Sequence, residues 1–447
     1  MFKFIQTWFW VSLGWNISAV VLIHEVVMVA STASSVVFPT ADFTRVPYSV
    51  FVDQEVYERE QQRLFRGSTW CYLGLEAEIP NPGDFKTTVM GDTPVVLNRD
   101  RQGELRAFVN RCSHRGAIVR REACGNAKEH RCIYHQWCFN LKGELTGVPY
   151  QNGMQGKGGY PDDFDKSQHG LTPIRVESYK GIVFGSFDWD IEPLDSYLDT
   201  HLRYHFDKVF HKPVKVLGYM RQLIPGNWKL YFENVKDPYH AGLLHLFHAT
   251  FGLYRSTQKG GVVLDKHQGH SIIYNIGGNY DKKEAEVQYK DQQKYEQSYK
   301  LVDPSILKQR PDFDDGVANR IMSVFPSVVV QQILNTLATR HIRPKGPDEF
   351  ELYWTYFGYA DDDEELTQIR LKQANFVGPS GFISMEDGEA VRLVQEGIRR
   401  EQDQYSVIEM DGRGEIRDID HLVSEVPMRG FWKRYAELMN YDVEVAQ

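Results

Sequence analysis

A chain of 447 residues, 42% hydrophobic and 25% charged, has the composition of a soluble globular protein and the length of two or about three domains. The formal charge of −9 argues against a nucleic-acid binder, which would carry a basic surface. Five cysteines, an odd number in so long a chain, argue against a disulfide framework and leave thiols free for metal in a reducing compartment.

The N-terminus stands apart. "MFKFIQTWFWVSLGWNISAVVLIHEVVM" is apolar for about 20 residues, the length that crosses a bilayer. It reads as a signal peptide or anchor, or as a start-site artefact with translation beginning at Met28. Residues 1–43 are therefore set aside as an extension outside the fold. Everything after Asp42 reads as a cytoplasmic protein. Residues 53–66, "DQEVYEREQQRLFR", predict a helix within a segment, 44–67, that packs on the later domain. From Asp84 to Asn110, short β-type runs alternate with Gly- and Pro-containing turns. "FNLKGELTGV" predicts a hairpin, and "GIVFGSF" a buried strand. Residues 68–188 are thus expected to form a small all-β domain. "DWDIEPLDSYLDTHLRYHFDKVF" predicts a helix, as does "NWKLYFENVKDPYHAGLLHLFHATFG". "SVVVQQILNTLATRHIRP" predicts strands, and "DEELTQIRLKQANF" and "EDGEAVRLVQEGIRREQ" predict helices. Residues 189–447 make a second, α+β domain. The acidic run "DDDEEL" suits a solvated helix start.

The β domain holds Cys112-x-His114 and Cys132-x2-His135. Tetrahedral zinc is one reading of two Cys and two His. Zinc fingers, however, pair Cys with Cys and His with His, whereas here each Cys shares a loop with a His. That suits a 2Fe–2S cluster in which two thiolates hold one iron and two imidazoles the other. Gly116 keeps the first loop tight. Cys71, Cys124 and Cys138 read as ordinary buried thiols.

The second domain holds Asp237-x2-His240-x4-His245. Positions five apart on an ideal helix point about 140° apart, so the two imidazoles converge only if the helix is distorted. Pro238 and Gly242 supply that distortion. His248 sits at helical spacing from His245 and is a decoy. Two His and one carboxylate with open positions make a non-haem iron(II) site. The carboxylate is Asp387, with Glu386 as runner-up, although Ser384-x-x-Asp387 also reads as a helix capping box.

The two motifs, in this order, resemble the large (alpha) subunit of Rieske non-haem iron aromatic-ring-hydroxylating oxygenases, over nearly all of Thr44 to Met439. "NWKLYFENVKDPYHAGLLH", "RLKQANFVGPSGFISMEDG" and "RGFWK" look like the branch acting on terephthalate, anthranilate and salicylate. The resemblance implies an α+β chain: an all-β Rieske domain and a larger catalytic domain of the helix-grip type with an antiparallel sheet. It implies one 2Fe–2S cluster on Cys112, His114, Cys132 and His135. It implies one mononuclear iron(II) on His240, His245 and Asp387, with Asp237 bridging the centres across a subunit interface. Neither cluster loop carries an additional Cys, so the disulfide-free, lower-potential type is implied. The family pattern has Asn four residues before this Asp in some members; here that position is Glu233, with Asn234 beside it, and neither receives a role.

The resemblance further implies O2 and electrons from an NAD(P)H-dependent reductase, taken directly or through a ferredoxin, for hydroxylation of an aromatic carboxylate. The chain has no G-x-G-x-x-G fingerprint of its own, in keeping with a separate reductase. A small beta subunit and a trimeric core, α3 or α3β3, are expected as well. A monooxygenase of the salicylate-hydroxylase type and a pure Rieske electron carrier are the alternatives. A carboxylate entering an apolar pocket needs a charge-assisted partner, for which Arg340 and then Arg429 are the candidates.

Overall fold

The computed structural model describes residues 36–277 and 299–444, with Val287 and Lys290. The apolar stretch at 1–27, and with it the signal, anchor and start-site readings, lies outside the described residues. Among these residues no helix is long and apolar enough to cross a membrane.

The β-type runs of the first domain assemble into a seven-stranded sheet. Its order is Cys71–Leu75, Ile182–Ser186, Pro173–Tyr179, Leu105–Val109, Thr93–Arg99, Asp84–Met90 and Cys124–Asn126. Every pairing is antiparallel. The turn Gly91-Asp92 joins Met90 directly to its partner Thr93, with Gly91 at φ +58°, a conformation glycine adopts without strain. A three-stranded sheet of Leu145–Gly147, Cys138–Phe139 and His130–Arg131 carries the second Cys–His pair. Phe108, Val119, Trp137, Phe139 and Leu171 pack around Cys112 and Cys132 as a separate small core.

The second sheet also has seven antiparallel strands: Val214–Ile224, Phe350–Tyr359, Thr336–Pro344, Val328–Ile333, Val317–Val324, Ser271–Ile276 and Gly260–Leu264. Long helices at Glu364–Val377, Phe382–Ile398 and Val426–Met439 accompany it. Asp363 caps the first of these by accepting from the N–H of Leu366, which places "DDDEEL" at a helix start.

Two expected helices are broken. The run after Asp188 divides into Leu194–Tyr197 and Asp199–Val209, with Asp199 at φ +61°. The run at 228–251 divides into Trp228–Asn234, His240–Leu243 and Leu246–Phe251. Pro238 has no N–H to continue the ladder, and the Asp237 side chain caps the restart by accepting from the N–H groups of Tyr239 and His240.

The two sheets do not have separate interiors. One continuous hydrophobic cluster contains Leu73, Leu97 and Ala107 of the first sheet with Trp228, Trp354 and Trp432 of the catalytic region. Tyr72 of the first sheet donates its N–H to Ser327 Oγ and pairs its hydroxyl with Thr339 Oγ1 at 2.9 Å. The segment before the first sheet is tied in through fully buried Glu60, which receives Lys229 Nζ, the Trp228 indole N–H and the Tyr435 hydroxyl at 2.5, 2.8 and 2.6 Å. Three donors, one of them the Lys229 ammonium, offset the cost of burying this carboxyl group.

Candidate metal centres

The two Cys–His loops are near-copies of each other. The Cys112 N–H donates to Ala117 O and the Gly116 N–H returns to Cys112 O, at 2.8 and 2.9 Å. The Cys132 N–H donates to Trp137 O and the Gln136 N–H returns to Cys132 O, at 2.9 and 3.0 Å. Each turn needs a left-handed residue four positions after its cysteine: Gly116 at φ +76° and Gln136 at φ +58°. Both thiols are buried, and both imidazoles, ring centres 4.7 Å apart, are half-buried. His114 stacks on Trp137 at 4.8 Å, which fixes its ring plane. Burial and then repulsion from His135 and Arg115 lower the His114 pKa and favour the neutral form, the one that can bind a metal.

Four donors in two buried thiols and two outward imidazoles fit a two-iron cluster with a sulfur-held inner iron and a nitrogen-held outer one. Among the described residues, the one group of three or more such donors gathered within 4.8 Å lies elsewhere, at His240, His245 and Asp387. Of the remaining cysteines, Cys71 and Cys138 are buried, as expected, but Cys124 is exposed at the edge of the first sheet. All three residues of that edge strand, Cys124, Gly125 and Asn126, are exposed.

The break at 234–240 builds the second centre. His240 Nδ1–H donates to the Asp237 main-chain oxygen at 2.7 Å, which turns His240 Nε2 toward Asp387 Oδ1 at 3.4 Å. His245 Nδ1–H donates to Glu386 Oε2 at 2.7 Å, and its Nε2 faces the same Asp387 Oδ1 at 3.1 Å. Three donors thus converge on one point. Burial works against a charged His240, but Asp237 and Asp387 outweigh it and push its pKa up to about 10. Burial likewise opposes ionised Asp387, yet His245 and His240 hold its carboxyl far below the usual range. Two imidazoles with their Nε2 atoms turned to one buried carboxylate fit a divalent iron with open positions.

Asp387 lies inside Phe382–Ile398, whose N-cap is Gly381, so Ser384 caps nothing and the capping-box reading fails. Glu386 orients His245 from outside the donor set. Asp237 lies in the break rather than on a helix. Its carboxylate stands 3.8 Å from His240 Nδ1, and the bond is taken by the Asp237 main-chain oxygen. Asn234 received no role from the sequence, yet its amide donates to Asp387 Oδ1 at 3.1 Å and lies 3.3 Å from His240 Nε2. Only the geometry of the break brings it there. Glu233 turns the other way, to the Trp432 indole.

A cavity enclosing about 580 Å³, counting its open mouth, adjoins these donors. Val235, Ile273, Ile321, Ile333 and Ile383 give it an apolar wall. Arg340 lines it too, 4% exposed. Its Nε donates to Gln331 Oε1 and one Nη to the Tyr231 hydroxyl at 2.9 Å, and the guanidinium lies 4.7 Å over Trp354. Among the described residues it has no carboxylate partner. Arg429 is not among the lining residues. It donates to the main-chain oxygens of Gly414 and Asp42, which removes it as a substrate candidate. His248 is no metal donor, but it lines the cavity, and burial then His245 push its pKa down to about 3, so it is neutral.

Residues 69–165 match the Rieske [2Fe-2S] domain family, and residues 195–441 match the catalytic domain of the ring-hydroxylating alpha subunit. The chain is 50% identical to the anthranilate 1,2-dioxygenase large subunit of Burkholderia cepacia, over 92% of this chain and 96% of the relative. It is 46% identical to the terephthalate 1,2-dioxygenase terminal oxygenase component subunit alpha 2 of a Comamonas species, over 90% and 97%. It is 45% identical to the salicylate 5-hydroxylase large oxygenase component of a Ralstonia species, over 90% and 96%. Among solved structures, naphthalene 1,2-dioxygenase from a Rhodococcus species superimposes with a TM-score of 0.72 at 26% identity, covering 88% of this chain and 94% of that one. A pure electron carrier has no use for the second domain, and that alternative falls. With both matched domains and both donor sets in place, the chain belongs to the Rieske-type aromatic-ring-hydroxylating dioxygenases, as a large (alpha) terminal oxygenase subunit with one 2Fe–2S cluster and one mononuclear iron.

Proposed function

We propose that this subunit hydroxylates an aromatic carboxylate of the anthranilate, terephthalate or salicylate kind, with the carboxylate paired to Arg340. The observation that carries this reading is a buried guanidinium on the wall of the metal-side cavity, with donor capacity left over and no acidic partner. A buried cation is costly unless an anion completes it, and a planar fork suits a carboxylate. Cys112, Cys132, His114 and His135 would hold the cluster, and His240, His245 and Asp387 the iron. When bound, the cluster supplies single electrons and the iron activates O2. The chain's own part is to grip the acid at Arg340, present the ring to the metal-side donors through the isoleucine wall, and keep both ligating imidazoles in the Nε2-facing tautomer. Arg340→Leu should weaken binding of benzoates by about 2 kcal/mol, roughly thirty-fold, while cluster reduction is unchanged. Product analysis on a panel of benzoates with a reductase supplied identifies the acid. An unchanged KM in the Arg340 variant would remove that residue from the site.

Electrons are proposed to come from NAD(P)H through a separate reductase, directly or by way of a ferredoxin, and a small beta subunit and a trimeric α3 or α3β3 core complete the assembly. Two features support a head-to-tail ring. Ile118, Ile133 and Tyr134 are exposed around the cluster loops, and Phe382, Met385 and Leu393 are exposed on the helix that carries Asp387. Asp237 fits the bridging role through Oδ2, which its own turn does not use, because Oδ1 takes the N–H groups of Tyr239 and His240. That oxygen, 3.8 Å from His240 Nδ1, is the one this reading assigns to His135 of the partner subunit. A cytoplasmic location is part of the same reading, since the cluster thiols need a reducing compartment.

A further inference from the structure

The His248 ring packs beside His245 and Phe376 and makes no hydrogen bond among the described residues. It is 5% exposed, and neither ring nitrogen has a hydrogen-bond partner among the described residues. It lies outside the converging metal donors, three residues beyond His245, with its ring centre 5.8 Å from that of His245 and 5.7 Å from that of Phe376. It nevertheless lines the same cavity as Arg340. Two other polar side chains lining the cavity, Asn275 and Asn319, are already engaged. Asn275 donates to Gln258 Oε1 and accepts from Asn319, and Asn319 also donates to Leu253 O.

A buried polar ring with two idle nitrogens destabilises a fold unless a ligand supplies the missing partner. A neutral imidazole offers one donor and one acceptor. A ring amino or hydroxyl group offers the complementary pair, whereas a plain aromatic C–H offers neither. We propose that His248 determines specificity by exchanging a hydrogen bond with an amino or hydroxyl substituent on the ring of the aromatic acid whose carboxylate is held by Arg340. The inference rests on the proposed binding of an aromatic acid in this cavity, and it narrows the substrate class to acids with a polar ring substituent. A site that hydrogen-bonds a substituent rejects the analogue lacking it, because the protein group is then left unpaired.

The test is equilibrium binding to the holoenzyme without reductase, so that nothing turns over. The probes are benzoate and the isomeric amino- and hydroxybenzoates, followed by titration calorimetry. In the wild type, at least one substituted acid should bind about ten-fold or more tighter than benzoate. In His248→Phe, which keeps an aromatic ring against Phe376, that ratio should fall to within about two-fold. His248→Asn, which keeps a donor and an acceptor, should recover part of it. A second measurement guards against a folding defect: the cluster absorption and iron content of both variants should match the wild type. If the acids bind but the ratio is the same in His248→Phe, or is absent in the wild type, the role of His248 is overturned while the Arg340 reading stands. If no acid binds wild type, and Arg340→Leu makes no difference, the reading of the cavity falls and this inference with it.

Discussion

Asp387 and Glu386 are adjacent, and both touch the metal-side histidines, but through different atoms. Asp387 Oδ1 faces both Nε2 atoms, while Glu386 takes the outer nitrogen of His245. Asp387→Ala should therefore drop bound iron from about three atoms per chain to about two, with the cluster spectrum intact. Glu386→Ala should keep the site but weaken iron about ten- to a hundred-fold, visible as lower occupancy at limiting iron(II) and recovery in excess. Loss of iron in the Glu386 variant alone would exchange their roles. The candidate donors could be picked out from the sequence, because Cys-x-His, Cys-x2-His and His-x4-His are patterns of residue type and spacing. Their supports were not. Asn234 and the main-chain oxygen of Asp237 reach the site through a broken backbone, and helical periodicity projects neither there. Gln136 escaped notice because a left-handed turn is expected of glycine, as at Gly116, and glutamine carries no such signal.

At the scale of elements, the strands and long helices followed from alternation and apolar period, and departures occur where a side chain or a proline interrupts the ladder. The junction between Glu364–Val377 and Phe382–Ile398 shows how tightly the second helix is seated. A Cβ on Gly381 would collide with the main-chain carbonyls of Phe376 and Asn375, although its φ of −111° suits any residue. The requirement is for close approach, not for conformational freedom. Gly381→Ala should push the first turn of the helix outward and cost about 1–3 kcal/mol of stability by denaturant titration. Because Asp387 lies six residues further on, mononuclear iron occupancy should fall as well, with the 2Fe–2S absorption retained. Full iron content in a destabilised Gly381 variant would show that the helix start and the donor move independently.

For the whole molecule, one buried amine sets a pH dependence. Lys236 is fully buried, and its Nζ donates to Gly269 O, Ser271 Oγ and Ser323 Oγ, at 3.0, 3.0 and 2.8 Å, with no carboxylate in ion-pair range among the described residues. Burial, only partly offset by Asp265, pushes its pKa down to about 7 from 10.5. Between those values the unfolded chain holds a proton that the folded chain has released. Stability therefore rises with pH through that window, and the penalty is fullest below pH 7. The denaturant midpoint of the wild type should climb from pH 7 to 9 relative to that of Lys236→Met. Parallel curves would mean that the amine keeps its proton in the folded protein. The two-domain reading of the sequence located both β and α+β regions, but it missed that they share an interior, since apolar runs do not say which sheet they will face. That shared interior has a consequence for heredity. Leu73, Leu97 and Ala107 would meet water if the electron-receiving half were cut from the half that works on the ring. The halves are not interchangeable cassettes. Recombination near residue 188 would have to bring a matching face along with each donor, so the electron relay and the ring-modifying chamber travel through lineages as one inheritance.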